Sequence, residues 1–272
     1  CDNLLGVRMV DGTGGIRDST EDPELLWACR GGGNGNFGVI TELRYQTYPA
    51  PTTLPRHRIK FRQLSAHKAV NLCRKWFEIT RVLPHDAFSA FVLNGTTLTI
   101  LMTYFEDKSE KMMGAFAGRL AQGATSVSPL AKEQLSKAVT RYYGRKTPLH
   151  FKNVSAGFYN GFDDLSDGIR EVFDLVMSSK GTIFQINTLG GAISDPIRIK
   201  SAAYPHRMFG YLGELQSYWE TDRSTEDRIT TIGKIQERLA QMGITRHYRN
   251  YPSLDLADWK VAYYGAENYR RL

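Results

Sequence analysis

The 272-residue chain contains no run of about 18 apolar residues, so no segment of it reads as a transmembrane helix. It opens Cys1-Asp2-Asn3-Leu4-Leu5, with neither an initiator Met nor a basic stretch leading into an apolar one. No signal peptide is read there, and the expectation is that the sequence starts inside a longer protein. Cysteine is scarce: Cys1, Cys29 and Cys73 have no metal-binding spacing, and three make no closed disulfide framework. Cys29 follows Leu25-Leu26-Trp27-Ala28 and Cys73 falls on the apolar face of a predicted helix, so both read as small buried hydrophobes rather than catalytic thiols. The six histidines, at 57, 67, 85, 150, 206 and 247, never stand four apart as on a helical metal site, and no metal is expected.

Dense basic clusters are also missing. Net charge is +7, from 35 basic and 28 acidic residues, but Lys and Arg are scattered singly or in pairs such as Arg270-Arg271. That describes a mildly basic surface able to steer anionic partners, without the clustering of a nucleic-acid binder. Neither nucleic acid nor membrane is an expected partner.

What is present alternates between strand and helix signals. Residues 4–11 read as a strand closed by Gly12-Thr13-Gly14-Gly15. Thr20 to Glu24 read as a helix start, with Pro23 in the first turn and acids at the positive dipole end. A glycine-rich loop follows from Gly31 to Gly38, then an alternating strand from Val39 to Tyr45. Pro49, Pro51 and Pro55 mark a boundary. Beyond it, strands are predicted near 56–63, 86–94, 96–105, 182–189 and 208–219. Helices are predicted near 65–82, 107–121, 131–141, 164–178 and 224–242. In the first of these, Ala69, Cys73, Trp76, Phe77 and Thr80 form one apolar face. Asn94-Gly95 is a two-residue hairpin signal. The predicted class is α+β, an antiparallel sheet with helices gathered on one face.

Gly33-Asn34-Gly35-Asn36-Phe37-Gly38 fits the spacing GxGxxG of dinucleotide-binding turns. That turn must follow a strand and open a helix, so that the helix amino terminus faces the pyrophosphate. Here a helix precedes the loop and a strand follows it, so the match is rejected. What remains is a loop rich in residues that tolerate positive φ, which lets backbone approach a partner closely.

Three segments together resemble the berberine-bridge-like branch of the vanillyl-alcohol oxidase and p-cresol methylhydroxylase flavoproteins. They are Asp2-Asn3-Leu4-Leu5 through Leu25-Leu26-Trp27-Ala28-Cys29-Arg30-Gly31-Gly32-Gly33 to Asn36-Phe37-Gly38-Val39-Ile40-Thr41; Ala203-Tyr204-Pro205-His206-Arg207; and Tyr248-Arg249-Asn250-Tyr251 with Tyr263-Tyr264-Gly265 and Asn268-Tyr269-Arg270-Arg271. The resemblance implies residues 1–52 as the second part of a p-cresol-methylhydroxylase-type FAD-binding domain, 53–245 as a substrate domain, and 246–272 as a segment returning to the flavin. It implies an FAD-dependent oxidase passing a hydride from an alcohol, sugar or amine carbon to flavin N5. Backbone at Asn36, Phe37, Gly38, Val39 and Ile40, with Asn250, would lie against FAD, and Tyr251 would be the general base. A phenol needs a neighbour that lowers its pKa to act as a base near neutrality. Gln185, Asn187, Tyr211 and Glu214 are the candidates for a polar substrate wall, while His206 and Arg207 read as structural.

In the family, an amino-terminal part makes most of the FAD pyrophosphate site and carries the covalently attached His, or His and Cys. Those attachment residues are not in this chain, and Cys1 is not assigned that role. The expectations are a partner in the amino-terminal half of the same protein, apolar surface on strands 4–11 and 39–45, and weak or no FAD binding by this polypeptide alone. The alternative is a non-catalytic scaffold or interaction module that has lost flavin binding.

Overall fold

A computed structural model describes residues 1–140 and 148–272. The chain divides into two compact units: residues 1–49, 191–208 and 246–272 form the first, and 50–190 with 209–245 the second.

The first unit begins with β1 (Leu4–Val10), the short β2 (Ile16–Asp18), helix α1 (Pro23–Cys29) and β3 (Val39–Tyr45). The strands form an antiparallel sheet in the order β2-β1-β3. Asp22 caps α1 by accepting from the backbone N–H groups of Glu24 and Leu25, and Pro23 occupies the first turn, where its missing N–H costs nothing. Leu4, Val7 and Met9 of β1 are buried, because α1 packs on that strand. The expected bare surface is therefore limited on β1 to Leu5, 55% exposed, and is extensive on β3, where all seven residues are exposed, Val39 at 71%.

The second unit contributes β4 (Thr53–Phe61), α2 (Ala66–Thr80), β5 (Ala87–Asn94), β6 (Thr97–Tyr104), α3 (Glu110–Leu120), β7 (Ser126–Gln134), α4 (Leu135–Thr140), β8 (His150–Tyr159), α5 (Ile169–Ser178), β9 (Thr182–Thr188), β10 (Tyr211–Trp219) and α6 (Thr225–Gln241). Its seven strands form one sheet, β7-β4-β6-β5-β9-β10-β8, antiparallel throughout. The Asn94-Gly95 turn joins β5 to β6, with Asn94 opposite Thr97. Alternation sends Phe91, Leu93, Leu98, Ile100, Phe184, Ile186 and Leu215 into a single core with α2, α3, α5 and α6. The other face of the sheet carries polar and basic side chains interspersed with the apolar Leu54, Val92 and Leu101, and α4 packs against its β4–β7 end. The fold is α+β.

Chain order closes on α7 (Trp259–Arg271), back in the first unit, with non-helical backbone at Gly265. Three expectations change. Residues 191–208 belong with the first unit rather than inside the substrate domain. The helix expected over 131–141 is the end of β7 followed by the short α4, residue 141 lying outside the described residues. Ala131 to Gln134 favour helix, but pairing with β4 overrides that preference, and Pro129 fits because β7 is an edge strand. Finally, β8 and α7 have no counterpart among the expected elements.

Candidate functional site

The glycine loop of the first unit is fixed from several directions. Ala203 N–H donates to the carbonyl of Trp27 at 3.2 Å and Tyr204 N–H to that of Arg30 at 3.3 Å, so the 191–208 segment clamps the end of α1. The Arg30 guanidinium reaches the carbonyl of Leu4 at 3.0 Å. Asn36 Nδ2 donates to the carbonyl of Gly32 at 2.7 Å, tying the two ends of the turn together. Phe37 sits at φ 71°, a left-handed conformation uncommon for a side chain of its size. Its ring lies over Gly32, where an added Cβ would come within 3.1 Å of it. Gly38, at φ 155°, turns the chain into β3 so close to β1 that a Cβ there would run into the carbonyl oxygen of Val10. From Phe37 through Ile40 the chain is open to solvent.

The carboxyl-terminal segment meets this loop. Tyr264 Oη donates to the same Gly32 carbonyl at 3.1 Å, and Arg249 Nε donates to Tyr264 Oη at 2.8 Å. Gly33, at φ 91°, lets the Arg249 stem approach, for a Cβ there would lie 2.8 Å from Arg249 Cγ. Arg249 is flanked by the residues singled out from sequence. Asn250 Nδ2 donates to Tyr248 Oη at 3.0 Å, and the Tyr248 and Tyr251 rings meet edge-to-face with centroids 5.2 Å apart. Asn250 is exposed and Tyr251 half-buried. The unit thus ties the 31–38 loop to the 248–251 segment through one carbonyl oxygen. Sequence reasoning misses Arg249 and Tyr264 as site residues. Their only sequence signal is position, next to Asn250 and within Tyr263-Tyr264-Gly265.

His206 and Arg207 are internal braces. His206 Nε2 contacts the carbonyl oxygen of Tyr263 at 3.0 Å, and burial pushes its imidazole down to about 4. Arg207 is buried and grips Asp2 with both terminal nitrogens, at 2.9 and 2.5 Å. Burial raises the Asp2 carboxyl, but the hydrogen bond and charge of Arg207 outweigh it and the net shift is downward.

In the second unit, Gln185 and Asn187 share the face of β9 turned away from the helices, and Gln185 Nε2 donates to Asn187 Oδ1 at 2.9 Å. Glu214 pairs in register with Gln185, and Asn153 Nδ2, from β8, donates to its carboxylate at 2.8 Å. Only 6% of Glu214 is exposed. Tyr211 does not join this group. Three residues before Glu214, it points to the opposite face, where it is 3% exposed within the core. Its hydroxyl lies 3.1 Å from Thr80 Oγ1, and burial raises its pKa. Asn153 is the polar neighbour that the sequence does not disclose, since β8 is not among the expected strands.

Among the described residues no cluster of His, Cys, Asp and Glu could hold a metal. Cys73 is fully buried and burial pushes its thiol up, as it does for the half-buried Cys29. No helix is long and apolar enough to cross a membrane among the described residues.

The sequence pattern of the family described as berberine and berberine like matches residues 247–272. An uncharacterised FAD-linked oxidoreductase of Bacillus subtilis, YvdP, is 24% identical over all of this chain and 61% of its own length. O-acetylstemmadenine oxidase of Catharanthus roseus is 23% identical over 87% of this chain and 49% of its own. Among solved structures, a berberine-bridge-like protein of Physcomitrella patens superposes with a TM-score of 0.83 at 17% identity, over 98% of this chain and 60% of that one. A chitooligosaccharide oxidase gives 0.80 at 20% identity, over 97% and 61%. The chain therefore spans about half to three fifths of the relatives it matches.

Proposed function

Given that this chain is a relative of the berberine-bridge-like FAD-linked oxidoreductases, we propose that it forms part of an FAD-dependent oxidase acting on an alcohol, sugar or amine. The supporting observation is the Gly32 carbonyl, on which the glycine loop and the Tyr248–Tyr251 segment are jointly anchored through Asn36 and Tyr264. The solvent-open turn at 37–40 fits a flat cofactor, because the Phe37 ring is folded back onto Gly32 and leaves the backbone bare. FAD, when bound, supplies a hydride acceptor.

Asn36, Phe37, Gly38, Val39 and Ile40 would hold the cofactor by backbone, with Asn250 contributing its exposed amide. Tyr251 would take the proton of a substrate hydroxyl. Arg249, bonded to Tyr264 and next in the chain but one to Tyr251, fixes the segment and adds positive charge to a site where a phenolate must form. Gln185, Asn187 and Glu214 would form a polar substrate wall, from which Tyr211 is removed because its hydroxyl is spent in the core.

In a preparation carrying bound FAD, anaerobic addition of a turnover substrate bleaches the visible flavin band. Tyr251→Phe is expected to slow the bleaching about 100-fold or more with flavin content unchanged, as for loss of a general base. An unaltered rate in that variant would remove Tyr251 from the chemistry.

The reading as a non-catalytic interaction module draws on one observation, the exposed apolar edge strand β3, which offers unpaired backbone to another polypeptide. Its mark would be a stable complex with a partner chain in protein that never takes up flavin.

A further inference from the structure

Strand β4 carries Arg56, Arg58 and Lys60 at alternate positions, so they share one face, while the intervening Ile59 lies in the core. Arg56 and Arg58 line a cleft of about 280 Å³ on the face away from α2, α3, α5 and α6, with Val92, Thr99, Leu101, Glu133 and, from α4, Ala138. Neither guanidinium pairs with a carboxylate among the described residues. Lys60 feels the neighbouring cations: its ammonium is lowered first by the charge of Arg58, then by burial and Arg62. Half-buried arginines without an anion are poised to receive one, since the planar fork suits a carboxylate or phosphate.

Strand register connects this basic end to the polar wall. Arg58 pairs with Leu101, Leu101 with Ala90, and Ala90 with Asn187. One row along, Lys60 pairs with Thr99, Thr99 with Val92, Val92 with Gln185, and Gln185 with Glu214. Two adjacent rows therefore run from cations to Asn187, Gln185 and Glu214 across a mostly apolar middle of Leu101, Ala90, Thr99 and Val92. From β4 to β9 is three strand spacings, roughly 14 Å.

We propose that this face takes an elongated substrate whose reacting group lies at Gln185, Asn187 and Glu214 and whose far end carries an anionic group, a carboxylate or phosphate ester, bound by Arg58 with Arg56. The role of the polar end rests on the oxidoreductase reading; the anion site rests on the arginines and the cleft. The apolar middle selects a ring or chain spacer over a compact polyanion.

The test is calorimetric titration of the 272-residue chain with three forms of one rigid biphenyl. Each carries a hydroxymethyl group at one end, and at the other a carboxylate, a phosphate ester or a neutral N-methylamide. At least one anionic form should bind about tenfold or more tightly than the amide, and weaken as salt rises. Whichever anion gains the advantage identifies the group. Arg58→Gln should abolish the advantage, Arg56→Gln reduce it, and Arg58→Lys restore part of it, so that a misfolded glutamine variant would not decide the matter. Arg62→Gln, outside the cleft, should leave it intact. Equal affinity for the three forms, no measurable binding of any, or an anionic preference untouched by both Arg56→Gln and Arg58→Gln would overturn the proposal. Failure of the oxidase reading would look different: anion-selective binding dependent on Arg58, with the hydroxymethyl group left unoxidised by flavin-loaded protein.

Discussion

His206 is buried against the carbonyl oxygen of Tyr263, and burial lowers its imidazole from 6.5 to about 4. The unfolded chain therefore binds a proton that the folded chain does not between those two values. Stability from this group is complete above about pH 6.5 and is lost as pH falls toward 4, by up to about 3 kcal/mol. Denaturant titrations of the wild type and His206→Gln across that interval should show the difference, with a flatter dependence in the variant. The Asp2–Arg207 pair makes a second prediction at this scale. Asp2→Ala strands a buried guanidinium whose Nε already lacks a partner, and should cost about 3 kcal/mol in urea unfolding. Depressed by Arg207, the Asp2 carboxyl stabilises above its unfolded pKa and ceases to as acid passes its folded one.

At the level of elements, the junction of the glycine loop with β3 is the most demanding piece of backbone. Gly38 combines φ 155° with contact against β1, so Gly38→Ala should cost about 2–3 kcal/mol in denaturant unfolding, well beyond a surface glycine substitution. This junction is readable in sequence from its glycines, which do take positive φ, although Asn34 and Asn36 do not and Phe37 unexpectedly does; α2 is readable too, its apolar face repeating at helical spacing. The Asn94-Gly95 hairpin is readable from two residues. What is not readable follows from pairing at long range. Ser126 to Gln134 has no apolar alternation because β7 is an exposed edge, and its strand state comes from β4, more than sixty residues earlier. The faces of β10 follow from alternation alone, so Tyr211 and Glu214, three apart, are separable without coordinates. Asn153 and Arg249 are not, because each matters through a partner brought near by the fold, Glu214 in one case and Tyr264 in the other.

The molecule as a whole places its candidate chemistry in two separately built units. In the first, residues from the start, the middle and the end of the chain interlock around Gly32, Trp27 and Tyr263. In the second, one seven-stranded sheet covers its apolar face with helices and leaves the other polar at β9 and β10 and basic at β4. The central claim is that the 36–40 turn and the Asn250–Tyr251 segment, over two hundred residues apart in sequence, present one surface to a flavin. The most direct measurement is a titration of FAD into the isotopically labelled chain, followed through backbone amide resonances. The account predicts that amides at 36–40 and at 250–251 shift together, with a common binding curve, while those of the second unit's core stay still. Shifts confined to one of the two segments while FAD binds would contradict it.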